Sequence, residues 1–305
     1  MKTVALCSAG NETYVMGLAV ALASAISHAP NGALRRVYVL DGGIRNRSWQ
    51  KLAASIARLP FDCELIRLQP DMASFSGLPQ DWGSSVMTYA RLALPEMITE
   101  KQVLYVDADL VVQGDWEGLW DSGTDGAIIA AAPDVITRTM AGDTFDYAKF
   151  ALDPNAPYFQ AGFLLMNLER WREFGVSEKV LTYLRENPNH CRYWDQSALN
   201  VVLYQRWKIL AADWNTPAWW ADQSKNGVTL QDPVLHFVGP HKPWLRGHHE
   251  SSSARIFFQW LDRSAWKNWR PSGVRQVGKM LKFRAWQLRE KARAWLPYRA
   301  VQGNS

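Results

Sequence analysis

The chain has 305 residues, of which 48% are hydrophobic and 21% charged. That is a globular composition, long enough for one large α/β unit or two smaller domains. It excludes a collagen repeat, a disulfide mini-protein and disorder along the whole length. The net charge of +5 hides an asymmetry: residues 263–305 hold eleven Lys and Arg against one acid, Glu290, while residues 1–262 hold 23 basic and 28 acidic side chains. A mildly acidic body with a basic tail points to an anionic surface, either lipid headgroups or nucleic acid. The 16 Trp suit stacking surfaces or a rich core.

In chain order, residues 3–7 read as a buried strand and Tyr14 to His28 as an Ala- and Leu-rich helix that Pro30 stops. Arg35 to Leu40 is a second strand, Arg45 to Leu59 a helix and Cys63 to Leu68 a third strand. Alternation of this kind predicts parallel pairing in an open α/β sheet. Tyr89 to Ile98 reads as a short helix, and Lys101 to Val106 as a fourth strand running into Asp107-Ala108-Asp109. Ala127 to Ala132 is a strand. Residues 134–157 have no clean period and read as a long loop or lid, which in a compact domain is usually functional. Ala161 to Asn167 is strand-like, Glu169 to Glu186 and Asp195 to Tyr204 are helices, and Val234 to Val238 is a short strand.

The boundaries fall at 1–262 for the body and 263–305 for the tail. From Gly273 the tail has helical period: Val274, Val277, Leu281, Ala285, Leu288, Ala292 and Trp295 fall within about ±40° on a wheel of about 100° per residue. A basic amphipathic helix carrying Trp and Phe is a membrane-surface signature, which we prefer first to a helix packed on the body and then to nucleic-acid binding. No uncharged stretch approaches the ~18 residues of a membrane span. Cys7, Cys63 and Cys191 include no CxxC pair and read as buried thiols in a reducing compartment. The expected location is the cytoplasm, peripheral on the inner face of the cytoplasmic membrane.

Three features carry chemistry. Asp107 and Asp109 stand at i and i+2 past a buried strand, where α/β sheets bind ligands; oxygen ligands suit Mg²⁺ or Mn²⁺ holding a diphosphate. His236 ends another apolar strand, and a neutral imidazole favours Mn²⁺. Gly239 allows close backbone approach and Lys242 can neutralise phosphate. Asp195-Gln196 opens a helix and either caps it or aims polar groups into a sugar site. Each feature alone also has a plain structural reading: a solvated acidic turn, a hydrogen-bonded core histidine, a helix cap.

Together these segments resemble the family-8 retaining glycosyltransferases, especially bacterial lipopolysaccharide galactosyl- and glucosyltransferases, over roughly residues 3–262. The resemblance rests on YARLALPE at 89–96, VLYVDADLVV at 103–112, FQAGFLLMNLERWR at 159–172, DQSALN at 195–200 and HFVGPHKPW at 236–244. It implies an α/β, GT-A type, Rossmann-like open sheet that binds a UDP-sugar and passes galactose or glucose, with retention, to a glycan or glycolipid hydroxyl such as lipopolysaccharide core. It implies that Asp107, Asp109 and His236 hold Mn²⁺, with Mg²⁺ the alternative. It places Lys242 and Gly239 on the donor phosphates, and Arg91 and Asp195 on the donor sugar. Gln196 would lie near the anomeric carbon as the catalytic candidate beside Asp195, and Tyr14 would stack on the base. Ala108 and Ala161 join the donor site, and Asp134 faces the acceptor.

Two positions depart from the family. Asn11 stands where an acid is frequent, and Gln160 where Asn is common; both bear on which sugar is donated. Two other readings compete. One is a haloacid-dehalogenase-type phosphohydrolase with Asp107 as nucleophile, and the other is a catalytically inert scaffold held at the membrane by the tail.

Overall fold

The computed structural model describes residues 2–80, 86–143, 145–223, 232–239, 242–245 and 250–271. The amphipathic helix expected from Gly273 lies outside the described residues.

The chain opens with strand β1 (Thr3–Gly10), helix α1 (Val15–Ser27), β2 (Leu34–Asp41), α2 (Asn46–Ile56) and β3 (Cys63–Leu68). A 3-10 turn (Val86–Leu92) and the short helix α3 (Leu94–Met97) stand where one helix was expected. Met87, Tyr89, Ala90, Arg91 and Leu92 are all buried there, so no solvent face remains to support a regular amphipathic helix. β4 (Gln102–Val106), β5 (Leu110–Val112), α4 (Glu117–Ser122) and β6 (Ile129–Pro133) follow, then β7 (Phe159–Asn167), α5 (Leu168–Phe174) and α6 (Val176–Glu186). The single helix expected over 169–186 is broken at Gly175, whose φ of +66° is left-handed and favours glycine. The order closes with α7 (Asp195–Val202), β8 (Trp207–Ile209), β9 (Thr216–Pro217), α8 (Ala218–Gln223), β10 (Val234–His236) and α9 (Ser252–Leu261).

Seven strands form one sheet in the order β3-β2-β1-β4-β7-β6-β8, and β5-β10-β9 form a second, smaller sheet. β3, β2, β1 and β4 are mutually parallel, as their alternation with helices predicts. β7 runs antiparallel to both β4 and β6, so the sheet is mixed beyond β4. Residues 134–157 lie between β6 and β7 and form an irregular but packed excursion: Met140, Phe145 and Leu152 are buried.

The period of two in β1 sorts its side chains between two cores. Val4 and Leu6 join α1, α2 and α9 on one face; Ala5 and Cys7 join α5, α6 and α7 on the other. α1 is buried at eleven of its thirteen residues, because it lies between the large sheet and the small one; its Ser24 Oγ accepts from Val112 N of β5 at 3.0 Å. Cys7 and Cys191 are buried free thiols, whereas Cys63, on the edge strand β3, is only half-buried. Among the described residues no helix is long and apolar enough to cross a membrane.

Candidate active site

The strand order places a switch point between β1 and β4. The chain leaves β1 towards β2 on one side and returns as β4 on the other, opening a crevice at the carboxyl ends of both strands. Asn11 and Tyr14 follow β1, and Asp107 follows β4. The Asp107-Ala108-Asp109 turn is also where the chain passes from the large sheet into the small one. β5 begins at Leu110 and pairs antiparallel with β10, which sets His236 opposite Leu110. Phe237 N donates to Asp109 O at 2.8 Å, so strand register brings an imidazole beside Asp109, 127 residues away, and its neighbour Asp107.

His236 Nε2 lies 3.1 Å from Asp109 Oδ1 and 3.9 Å from Asp107 Oδ2. The three residues each offer one ligand atom, all within 4.8 Å of one another. Two hard carboxylate oxygens and one imidazole nitrogen suit a divalent ion such as Mn²⁺. The backbone makes room for it. Asp107 N donates to Gly162 O at 2.8 Å, and a Cβ on Gly162 would stand 2.3 Å from His236 Cε1 and 2.9 Å from Asp107 Oδ2. Only glycine lets β7 pass this close to the cluster.

Two buried cations flank these carboxylates. Lys242 is 7% exposed; its ammonium contacts Asp109 Oδ2 and donates to Phe237 O at 2.6 Å. Burial alone would raise the Asp109 carboxyl, but Lys242 and His236 beside it outweigh burial and hold it well below the usual carboxylate range. Burial alone would likewise lower the Lys242 ammonium; Asp109 reverses this and raises it. Arg91, from the 3-10 turn, donates through Nη2 to Asp107 Oδ1 at 2.9 Å and through Nη1 to Ala161 O. Its Nε lies 3.1 Å from Asp195 Oδ2.

Asp195 is the first residue of α7 and 2% exposed. Burial pushes its carboxyl up, and Arg91 opposes the rise. Thr88 Oγ1 donates to its other oxygen. Gln196 is held at both ends: its Oε1 accepts from Ala161 N at 2.9 Å and its Nε2 donates to Asp134 Oδ2 at 3.0 Å. Asn200, one helical turn on, exchanges hydrogen bonds with the Phe159 backbone in both directions at 2.9 Å. The 195–200 segment is thus stapled to β7 at two levels. Trp194, just ahead of it, has a φ of +55°, a left-handed conformation costly for a bulky residue and typical of functional sites.

The remaining expected residues sit around this cluster. Tyr14 caps α1 and meets Trp244 edge-on, ring centroids 5.6 Å apart; Lys242 Nζ is 5.9 Å from its ring centre. Asn11 Oδ1 accepts from Thr13 N in the turn after β1. Ala108 is buried within the acidic turn, and Gly239 takes a φ of +63° between His236 and Lys242. Asp134 Oδ1 caps the backbone of Ile136 and Thr137, so both of its oxygens serve the protein. Gln160 turns its Oε1 to Gly162 N and to Asn215 Nδ2.

Sequence reasoning missed Asn215, Thr88 and Asn200. Asn215 Oδ1 lies 2.8 Å from His236 Nδ1. A lone Asn between Trp214 and Thr216 gives no local signal; only the pairing of β9 with β10 brings it there. Asn200 was legible only as a member of the segment 195–200, and Thr88 lies one residue ahead of the segment 89–96.

A glycosyl transferase family 8 model matches residues 5–247. General stress protein A of Bacillus subtilis (strain 168) is 25% identical over 255 residues, 78% of this chain and 86% of that one. Lipopolysaccharide 1,2-glucosyltransferase of Escherichia coli (strain K12) is 25% identical over 279 residues, 88% of this chain and 80% of that one. The crystal structure of galactosyltransferase LgtC with donor and acceptor sugar analogues superposes with a TM-score of 0.72 at 24% identity, covering 90% of this chain and 100% of that one. What is shared at that identity is the fold: the open GT-A type sheet expected from the sequence.

Proposed function

The chain belongs to glycosyl transferase family 8, and from that premise we propose that it moves galactose or glucose, with retention, from a UDP-sugar to a hydroxyl of lipopolysaccharide core or a similar glycolipid. The observation that carries this reading is the joint of the two sheets, where Asp107, Asp109 and His236 converge beside two buried cations, Lys242 and Arg91. A phosphohydrolase using Asp107 as nucleophile is set aside by the family, as is an inert scaffold. The acceptor class is suggested by the lipopolysaccharide 1,2-glucosyltransferase of Escherichia coli among the relatives.

Asp107, Asp109 and His236 would hold Mn²⁺, or Mg²⁺ in its place, which when bound supplies Lewis-acid stabilisation of a departing diphosphate. Lys242 adds a fixed ammonium for the same developing charge, in a site where water is scarce and the charge is worth more. Gly239 brings the backbone to the phosphates, while Tyr14 and Asn11 at the β1 exit take the uracil base. Arg91 locks Asp107 and Asp195 in place, and Asp195 orients the sugar through its hydroxyls. Gln196, clamped between Ala161 and Asp134, is an uncharged amide and a poor nucleophile. We therefore favour attack by the acceptor on the face the diphosphate leaves, with a leaving phosphate oxygen taking the acceptor proton. A glycosyl adduct trapped on Asp195 or Gln196 would overturn that step. Residues 134–157 close over the donor and exclude water. Residues 263–305 dock the enzyme on the anionic inner face of the cytoplasmic membrane.

The test is UDP release from UDP-galactose, UDP-glucose and their N-acetyl forms, with and without Mn²⁺, by wild type and Asp109→Ala. Mn²⁺-dependent release from one donor, lost in the variant, is expected. Silence with every donor, with no binding by calorimetry, would contradict a uridine donor.

A further inference from the structure

The strongest cluster that the proposed reaction leaves unused lies behind the metal-ligating imidazole. Asn215, 2% exposed, ends a 3-10 turn (Ala212–Asn215) that feeds β9. β9 pairs in parallel with β10, setting Thr216 opposite Leu235 and Pro217 opposite His236. This register carries the Asn215 side chain to the far side of the His236 ring, where Oδ1 stands 2.8 Å from Nδ1. The amide nitrogen of Asn215 donates to Gln160 Oε1 at 2.5 Å. That bond orients the amide, leaving its oxygen as the atom facing the imidazole. Gln160 Oε1 accepts a second bond from Gly162 N at 2.5 Å, so both of its acceptor sites are engaged. Gly162 is the glycine on which a Cβ would collide with His236 and Asp107.

We propose that Gln160 and Asn215 are positioning residues that act in series on His236. Gln160 fixes the Asn215 amide, and Asn215 accepts from His236 Nδ1–H, leaving the Nε2 lone pair aimed between Asp107 and Asp109. A ligating imidazole depends on such a partner for its tautomer and its ring orientation, and losing the partner typically costs about 10–100-fold in metal affinity. Asn215 bonds to His236 and Gln160, and Gln160 to Asn215 and Gly162. Gln160 thus reaches His236 through the amide next to it. In this chain the longer side chain at position 160 turns its Oε1 to the metal centre.

The inference rests on the metal reading above, and the experiment separates the two. Mn²⁺ is titrated into the full chain, and free ion is read by electron paramagnetic resonance, for wild type, His236→Ala, Asn215→Ala, Gln160→Ala, Gln160→Glu, Gln160→Asn and the Asn215→Ala/Gln160→Ala pair. Wild type that binds no Mn²⁺, or binds it as His236→Ala does, overturns the metal reading itself. With binding established, Asn215→Ala is expected to weaken it about 10–100-fold and Gln160→Ala several-fold. The double variant is expected to match Asn215→Ala alone, because residues acting in series are not additive. Gln160→Glu keeps the accepting oxygen and is expected to keep the affinity; Gln160→Asn loses the reach and is expected to behave as Gln160→Ala. Additive losses in the double variant, or an Asn215→Ala affinity equal to wild type, would refute the series. If Asn215→Ala does not fold, the tautomer of His236 decides by long-range proton–nitrogen NMR. The wild-type ring should carry its proton on Nδ1, and a proton on Nε2 overturns the proposal.

Discussion

The two sheets of this enzyme divide its work. The seven-stranded sheet supplies mass and order: β1, β2 and β4 run buried between two cores that cover both faces. The three-stranded sheet has strands of only two or three residues, too short to stand alone. Yet it delivers His236 and, through β9, Asn215, while the turn that joins the sheets delivers Asp107 and Asp109. Stability therefore concentrates where hydrophobic burial is extensive, and chemistry where two weakly independent pieces are held against each other. Changes in the large sheet away from the joint should cost folding and spare the reaction; changes at the joint, including the part of β7 that passes the metal cluster, should do the reverse.

The sharpest way to break that division is Leu6→Ala, in the middle of β1 and 1% exposed. A buried Leu→Ala costs about 2–5 kcal/mol, so the thermal midpoint should fall by several degrees. The kcat/KM of the folded fraction should hold within about 2-fold, since Leu6 lies mid-strand in the hydrophobic core, before the end of β1 where the site begins, and additivity holds for distant positions. Gly162→Ala tests the joint. Its added methyl forces His236 and Asp107 apart, and misplacement near 1 Å can cost about 10²-fold in rate. Steady-state kinetics should show that loss together with weaker Mn²⁺ dependence. Asp134→Ala releases one end of Gln196 and should lower kcat about 10-fold, on the scale of a lost charge-assisted hydrogen bond, with a smaller change in acceptor KM. A loss confined to acceptor KM would make Asp134 an acceptor contact alone.

The smallest effect is in acid. The folded-state value of Asp109 is depressed, so an unfolded chain takes up the proton first as pH falls. Its stabilisation is complete above the unfolded value near ~4 and is lost as pH falls below it towards the folded value. Thermal midpoints between pH 3 and 6 should decline more steeply in wild type than in Asp109→Asn; parallel slopes would contradict the pairing with Lys242 and His236.

The same division decides what the sequence made legible. β1 to β4 with α1 and α2 could be read because each is a local run whose period or apolar character needs no partner. The acidic turn, His236 and Asp195-Gln196 could be read as chemistry because their residue types are costly to place without a use. β5, β8 and β9 escaped because two or three residues carry no period, and their identity as strands comes from partners far along the chain. β7 looked like any buried strand, and nothing in an apolar run states its direction. Asn215 is the sharpest case: an ordinary turn residue in sequence, it gains its meaning only when β9 lies beside β10.

The most direct measurement is anomalous diffraction at the manganese edge from crystals grown with Mn²⁺ and a non-hydrolysable UDP-hexose. One peak bounded by Asp107, Asp109 and His236 Nε2, with the diphosphate reaching Lys242, is the result expected. A peak elsewhere, or a diphosphate bound with no ion at the joint of the two sheets, would contradict the central claim.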